Sequence, residues 1–136
     1  SEATNHAREC DMANWFAIAL GGALGAVSRY ALSLRIYAWL GRDFPWGTLG
    51  VNLLGSFLMG FLAILLTSRL QVDEPLRNGL LVGYLGALTT YSTFAMDKLQ
   101  LLQQGAYLKA GSYMLASMLA CLAAIILGTW LAKQIS

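Results

Sequence analysis

The chain alternates four long apolar runs with short polar connections. The runs cover residues 15–33, 47–68, 80–96 and 110–132, and each comes near the roughly 20 residues that an α-helix needs to cross about 30 Å of hydrocarbon. Four transmembrane helices are therefore expected. The pieces between them read "LGRDFPWG", "SRLQVDEPLRNG" and "KLQLLQQGAYLK", carrying charges and the turn residues Pro45, Pro75 and Gly105. Both prolines stand where a helix can begin, and Trp15, Trp39, Trp46, Tyr107 and Trp130 fall near the ends of runs, where amphipathic rings settle at the headgroups. Residues 1–14 are polar and lack the features of a secretory signal, so they are set apart as a tail without important structure, ahead of a four-helix domain over 15–136. His6, the single histidine, falls on that tail and is expected to be solvated.

Composition strengthens the membrane reading. Of 136 residues, 57% are hydrophobic and 12% charged, against roughly 25% charged in an ordinary soluble domain. The length holds one small domain, and a net charge of +2 gives no reason to expect a nucleic-acid partner. Cys10 and Cys121 make neither a disulfide framework nor a metal site.

Charge placement adds something less usual. With four spans, Arg8, Arg69, Arg77 and Lys133 fall on one side of the membrane and Arg35, Arg42, Lys98 and Lys109 on the other, with Arg29 inside the first span. Lys and Arg bias sets orientation, so an even balance gives the chain no preferred way to insert. Insertion in both directions is expected, and with it an antiparallel two-fold homodimer whose axis lies in the membrane plane.

Small residues recur at helical spacing: Gly21 with Gly25, Ser56 with Gly60, and Gly79 with Gly83. Such pairs let helix backbones approach closely. In the third run, Gly83, Gly86, Thr89 and Thr90 together weaken the helix beyond what packing requires, which predicts a break near the membrane middle. Non-helical backbone at that depth is tolerated where its carbonyls line a cavity or hold an ion.

The polar side chains within the runs are neutral. The second run carries Asn52, one turn from Thr48; the third carries Thr89, Thr90, Tyr91, Ser92 and Thr93; the fourth carries Ser112, Tyr113 and Ser117, with Tyr113 and Ser117 on one face. An isolated Ser or Thr usually bonds back to the preceding helical turn, whereas an amide in hydrocarbon needs partners, either as interhelical glue or as a site residue. No Asp, Glu or Lys falls inside the runs, which disfavours proton-coupled export. Neither an acid–base pair nor a nucleophile constellation nor a metal-ligand cluster occurs in them, which disfavours an enzyme. Amide, hydroxyls and the positive edges of aromatic rings suit a small anion.

The segments "GTLGVNLLGSFLMG" (47–60) and "GYLGALTTYSTFAMD" (83–97), preceded by "GGALGAVSRY" (21–30), resemble the small fluoride channels of the CrcB/Fluc type. The likeness runs from about Trp15 to the end. It implies an all-α, dual-topology homodimer in the bacterial inner membrane, assembled antiparallel among lipids, with two fluoride pores and a structural sodium ion at the dimer centre. By position it implies Asn52 as the pore amide, Tyr91 and Phe94 as rings that meet fluoride edge-on, Ser92 and Thr93 as adjoining hydroxyls, and Tyr113 and Ser117 as the polar track of the fourth helix. Thr48 is grouped with these pore residues. Gly86 and Thr89 match the backbone carbonyls that hold sodium, and Arg29 matches the buried first-helix arginine. The family usually has Phe where this chain has Tyr91, and Cys121, a weaker donor than Ser, falls near a later position of the polar track. The resemblance implies passive flow, which removes fluoride that enters as HF and ionises in the cytoplasm.

Two other readings stay beside this one. A four-helix dual-topology multidrug exporter has similar length and glycine content but relies on an acidic residue in its first span, and here that span has none. A scaffold subunit without transport is the second.

Overall fold

The computed structural model describes residues 1–135, which are helical and joined by short turns. Helix α1 spans Glu2–Leu40 and α2 spans Trp46–Ile64, continued by one π-helical stretch, Leu65–Arg69. A short helix α3, Glu74–Asn78, leads through a second π-helical stretch, Gly79–Leu85, into a single turn, α4, Gly86–Leu88. Helices α5, Tyr91–Gln103, and α6, Tyr107–Ile135, complete the chain.

The ends of these helices follow from local chemistry. Gly41 closes α1 at φ 86° and Gly105 links α5 to α6 at φ 76°, a left-handed backbone that costs glycine nothing sterically. Pro45 immediately precedes α2, and Pro75 lies in the first turn of α3, where its missing N–H would have had no helical partner.

Helices Glu2–Leu40, Trp46–Arg69 and Tyr107–Ile135 are each long and apolar enough to cross a membrane. The run expected as the third span takes a different form. Its helical path is divided at Thr89 and Thr90, which are extended at φ −83°, ψ 151° and φ −147°, ψ 122°.

Residues 1–14, read from the sequence as a tail without structure, instead extend α1 to its first turn. Ser1 caps the helix through Thr4, and the segment holds good helix formers with no Gly or Pro. Asn14 ties this extension to the second connection: its Nδ2 donates to Glu74 at 3.3 Å, and its Oδ1 accepts from Asn78 at 3.4 Å.

Glycines set the two closest helix contacts. A Cβ on Gly21 or Gly25 would strike the carbonyls of Gly79 and Tyr84, and one on Gly83 would reach Ile18, so α1 lies directly on the 79–85 stretch. Helices α2 and α6 meet through Gly60 and Gly128, each facing a backbone carbonyl of the other helix, Ile125 and Phe57 respectively. Gly60 is part of the small-residue spacing seen in the sequence, and Gly128 lies at the same spacing between Ala124 and Ala132, which are buried with it along one face of α6. Val51, Leu85, Leu88, Ala110, Tyr113 and Ala132 form the most enclosed apolar positions, and most large apolar side chains on α1 and α6 face outward. That distribution suits a chain whose solvent is lipid.

Candidate functional site

The interruption at Thr89 and Thr90 is fixed from across the helix pair by Asn52. Its Oδ1 accepts from the Thr90 amide at 2.7 Å and its Nδ2 donates to the Thr90 carbonyl at 3.0 Å, a two-point clamp on one residue's backbone. In an uninterrupted helix the Thr90 amide would close on the Gly86 carbonyl and the Thr93 amide on that of Thr89. Here the Thr90 amide goes to Asn52 and the Thr93 amide to Thr90 Oγ1 at 3.2 Å, so both carbonyls lose their helical donors. Arg29, half-buried on α1, donates from Nε to the Ala87 carbonyl at 3.1 Å, another acceptor released by the interruption. Thr89 Oγ1 bonds back to the Leu85 carbonyl at 3.1 Å.

The new helix start is capped by Thr90. Its Oγ1 accepts from the Thr93 amide and bonds Thr93 Oγ1 at 3.2 Å, with Ser92 Oγ at 3.4 Å. This explains part of the hydroxyl run: Thr90 and Thr93 serve the helix end.

Beside the interruption lies an open-sided cavity of about 520 Å³. Asn52 and Ser56 from α2, Thr90, Tyr91, Phe94 and Lys98 around α5, and Ser117 and Cys121 from α6 contribute its polar, aromatic and charged lining. Ser117 Oγ is buried and has no hydrogen-bond partner, although the side chain is only 6% exposed. A donor kept dry and unpaired at a cavity wall is costly unless a ligand completes it.

Aromatic rings connect this cavity to one end of the bundle. Tyr91 and Phe94 meet edge to face at 5.6 Å, Phe94 and Tyr113 at 4.9 Å, and Tyr113 and Phe44 at 5.4 Å. Each contact places the positive edge of one ring toward the negative face of the next.

Tyr113 leads to a group that the run boundaries hid. Its hydroxyl donates to Asp97 Oδ2 at 3.1 Å, and Thr48 Oγ1 donates to the same oxygen at 2.7 Å, with both donors buried. Sequence reading ended the third run at Met96 and so placed no carboxylate among the spans. Helix α5 continues to Gln103, and Asp97 is brought between hydroxyls of α2 and α6. Lys98, counted as a loop charge, likewise reaches back over the Tyr91 and Phe94 rings. Extending the helical spacing one turn beyond Phe94 would have found both.

The expected pore residues therefore divide. Asn52, Tyr91, Phe94 and Ser117 line the cavity; Thr48 and Tyr113 hold Asp97; Ser92 and Thr93 belong to the cap around Thr90. Gly86 and Thr89 stand at the interruption with carbonyls released from helical bonding, and Arg29 sits beside them. Among the described residues no group of three or more His, Cys, Asp or Glu side chains is placed to hold a metal.

A family model described as "CrcB-like protein, Camphor Resistance (CrcB)" matches residues 16–129. A protein from Magnetococcus marinus named "Fluoride-specific ion channel FluC" is 59% identical over 111 residues, covering 82% of this chain and 90% of the relative. Proteins with the same name from Hydrogenovibrio crunogenus and Methylococcus capsulatus are 47% and 50% identical, covering 87% and 89% of this chain. The match spans 89% of the first and 53% of the second, longer relative.

Proposed function

Because this chain belongs to the CrcB-like family, we propose that it is a fluoride-selective ion channel, a multi-pass protein of the bacterial membrane that lets fluoride leave the cytoplasm passively. The observation that carries this reading is the cavity in which the Asn52 amide, the Tyr91 and Phe94 rings and the unpaired Ser117 hydroxyl converge. Asn52 spends one N–H of its amide on Thr90 and keeps the second. Fluoride holds its water tightly, so a selective path must replace that water with several donors arranged in a narrow route. Ring edges and neutral donors can fulfil this while holding the ion weakly enough for it to leave again.

In this reading the chain crosses the membrane four times. The third crossing is the divided path of α3 to α5, with Thr89 and Thr90 near the membrane middle. Two chains assemble antiparallel and provide two pores. The open side of the cavity and the 74% exposure of Tyr91 support a second chain completing each path. Thr48, Ser92, Thr93 and Tyr113 extend the path beyond the cavity, and the ring ladder toward Asp97 gives it a direction.

The interruption also fits a structural sodium ion. The Gly86 and Thr89 carbonyls, released from helical bonding, are hard neutral oxygens of the type a small cation prefers, and two-fold symmetry would double their number. Arg29 occupies the neighbouring Ala87 carbonyl and leaves those two available. Sodium bound there would fix the two interruptions against each other, as structure and not as cargo.

The test is ion flux from sealed vesicles. Purified protein reconstituted into liposomes loaded with fluoride should release it when a potassium ionophore balances charge, and hardly at all without the ionophore. Chloride should leave far more slowly. Equal rates for both anions, or no release of fluoride, would overturn the reading.

A further inference from the structure

The cavity that holds the aromatic pair also holds one full positive charge. Lys98 lies four residues after Phe94 and seven after Tyr91 on α5, so the three share a helix face. Its side chain runs back toward the start of the helix, the usual direction for an α-helical side chain. Nζ stands 4.2 Å from the Phe94 ring centroid and 5.2 Å from that of Tyr91. Lys98 forms no ion pair with a carboxylate among the described residues. The adjacent Asp97 faces elsewhere, held by Thr48 and Tyr113.

An ammonium in a mainly apolar cavity of a membrane protein is costly unless something compensates it. The ring faces do so in part through their quadrupoles. The remainder calls for an anion, and the channel's own substrate is the anion that visits. We propose that Lys98 is an anion-recruiting residue, which draws fluoride from solution to the Tyr91–Phe94 pair and hands it to the ring edges. The ammonium uses the negative faces of the rings while the anion uses their positive edges, so the two do not compete. An ammonium over a face also pulls ring electron density toward itself, which makes the edge hydrogens more positive. The lysine thus strengthens the site it feeds.

This inference rests on the channel reading and deepens it, and its signature is separate from flux itself. A fixed charge in a low-dielectric groove raises the local concentration of counter-ions. That effect fades as salt shortens the screening length from about 10 Å at 0.1 M to about 3 Å at 1 M. Fluoride conductance of the wild-type chain, K98Q, K98M and K98R would be measured in bilayers at ~10 mM fluoride, with and without about 1 M of an impermeant salt. K98Q and K98M should conduct about five-fold less than wild type at low ionic strength, with the gap closing to less than about two-fold at high. K98R should stay near wild type in both. Each variant is scored only if its elution in detergent matches wild type, and wild type and K98R by themselves also test the idea, since added inert salt must lower their conductance. K98Q equal to wild type at low salt, a deficit that salt leaves unchanged, or a wild-type conductance indifferent to salt would each overturn the recruiting role. A wild-type chain without fluoride current would overturn the channel reading and this inference together.

Discussion

Asn52 combines two demands that are hard to separate in one side chain. Its amide satisfies both polar groups of Thr90 and also faces the cavity. Asn52→Ala leaves a donor and an acceptor unpaired, at about 1–3 kcal/mol each, so it should lower the purified protein's melting temperature by several degrees as well as reduce fluoride flux. Phe94 offers a cleaner separation. Phe94→Ile keeps apolar volume but removes the quadrupole that contacts Lys98 and the neighbouring rings and that the proposed anion path would use, so detergent-solubilised protein should elute as wild type while fluoride efflux falls at least about ten-fold. Normal efflux in both variants, with normal elution, would place the anion path elsewhere. Asp97→Asn keeps an acceptor for Thr48 and Tyr113 but loses the charge that strengthens both bonds, which are worth about 1.5–3 kcal/mol each to a charged group. A lower melting temperature in Asp97→Asn, measured on the purified protein, is the expected outcome.

At the scale of elements, periodicity and turn residues showed the apolar runs, the proline and glycine positions at their ends and the weakness of the third run around Gly86 and Thr90. They did not show what ends that run. The boundary was drawn at the first charge, Asp97, whereas a carboxylate that accepts two buried hydroxyls is compatible with continued helix. Nor did composition reveal that residues 1–14 extend α1, because a polar helix without apolar periodicity looks like a tail until Ser1 and Asn14 are seen to anchor it. Gly128 is a different case: Ala124 and Ala132 mark its face of α6 at one-turn spacing, and what the sequence left open is that the Phe57 carbonyl of another helix packs there. Helix α6 provides its own control for that contact. Gly111→Ala meets open space and should leave the melting temperature unchanged or slightly raised, whereas Gly128→Leu drives a branched side chain into the Phe57 backbone and should yield aggregated protein on size exclusion.

For the whole molecule, the proposed second copy would cover the open side of the cavity, the outward Tyr91 and the two released carbonyls at the interruption, and the charge balance bears on how that copy would be oriented. Arg8, Arg69, Arg77 and Lys133 oppose Arg35, Arg42, Lys98 and Lys109, so neither face of the bundle carries an excess. Lys98 complicates the count, because an ammonium folded back over the rings is withdrawn from the interface, and without it the balance is four against three. Orientation is decided during insertion, before α5 has packed, so the full count applies at that stage. Reporters of both membrane sides fused to the C-terminus should therefore each give substantial signal; a signal confined to one side would end the antiparallel proposal. Two or three lysines added after Lys133 should tip insertion toward one orientation and deplete the antiparallel dimer, lowering fluoride efflux from whole cells although no pore residue has changed. Co-expressing that variant with one carrying the same lysines between Arg42 and Pro45, biased the opposite way, should restore efflux, because each supplies the orientation the other lacks. Failure of this rescue while both chains accumulate in the membrane would mean that the functional assembly is not an antiparallel pair.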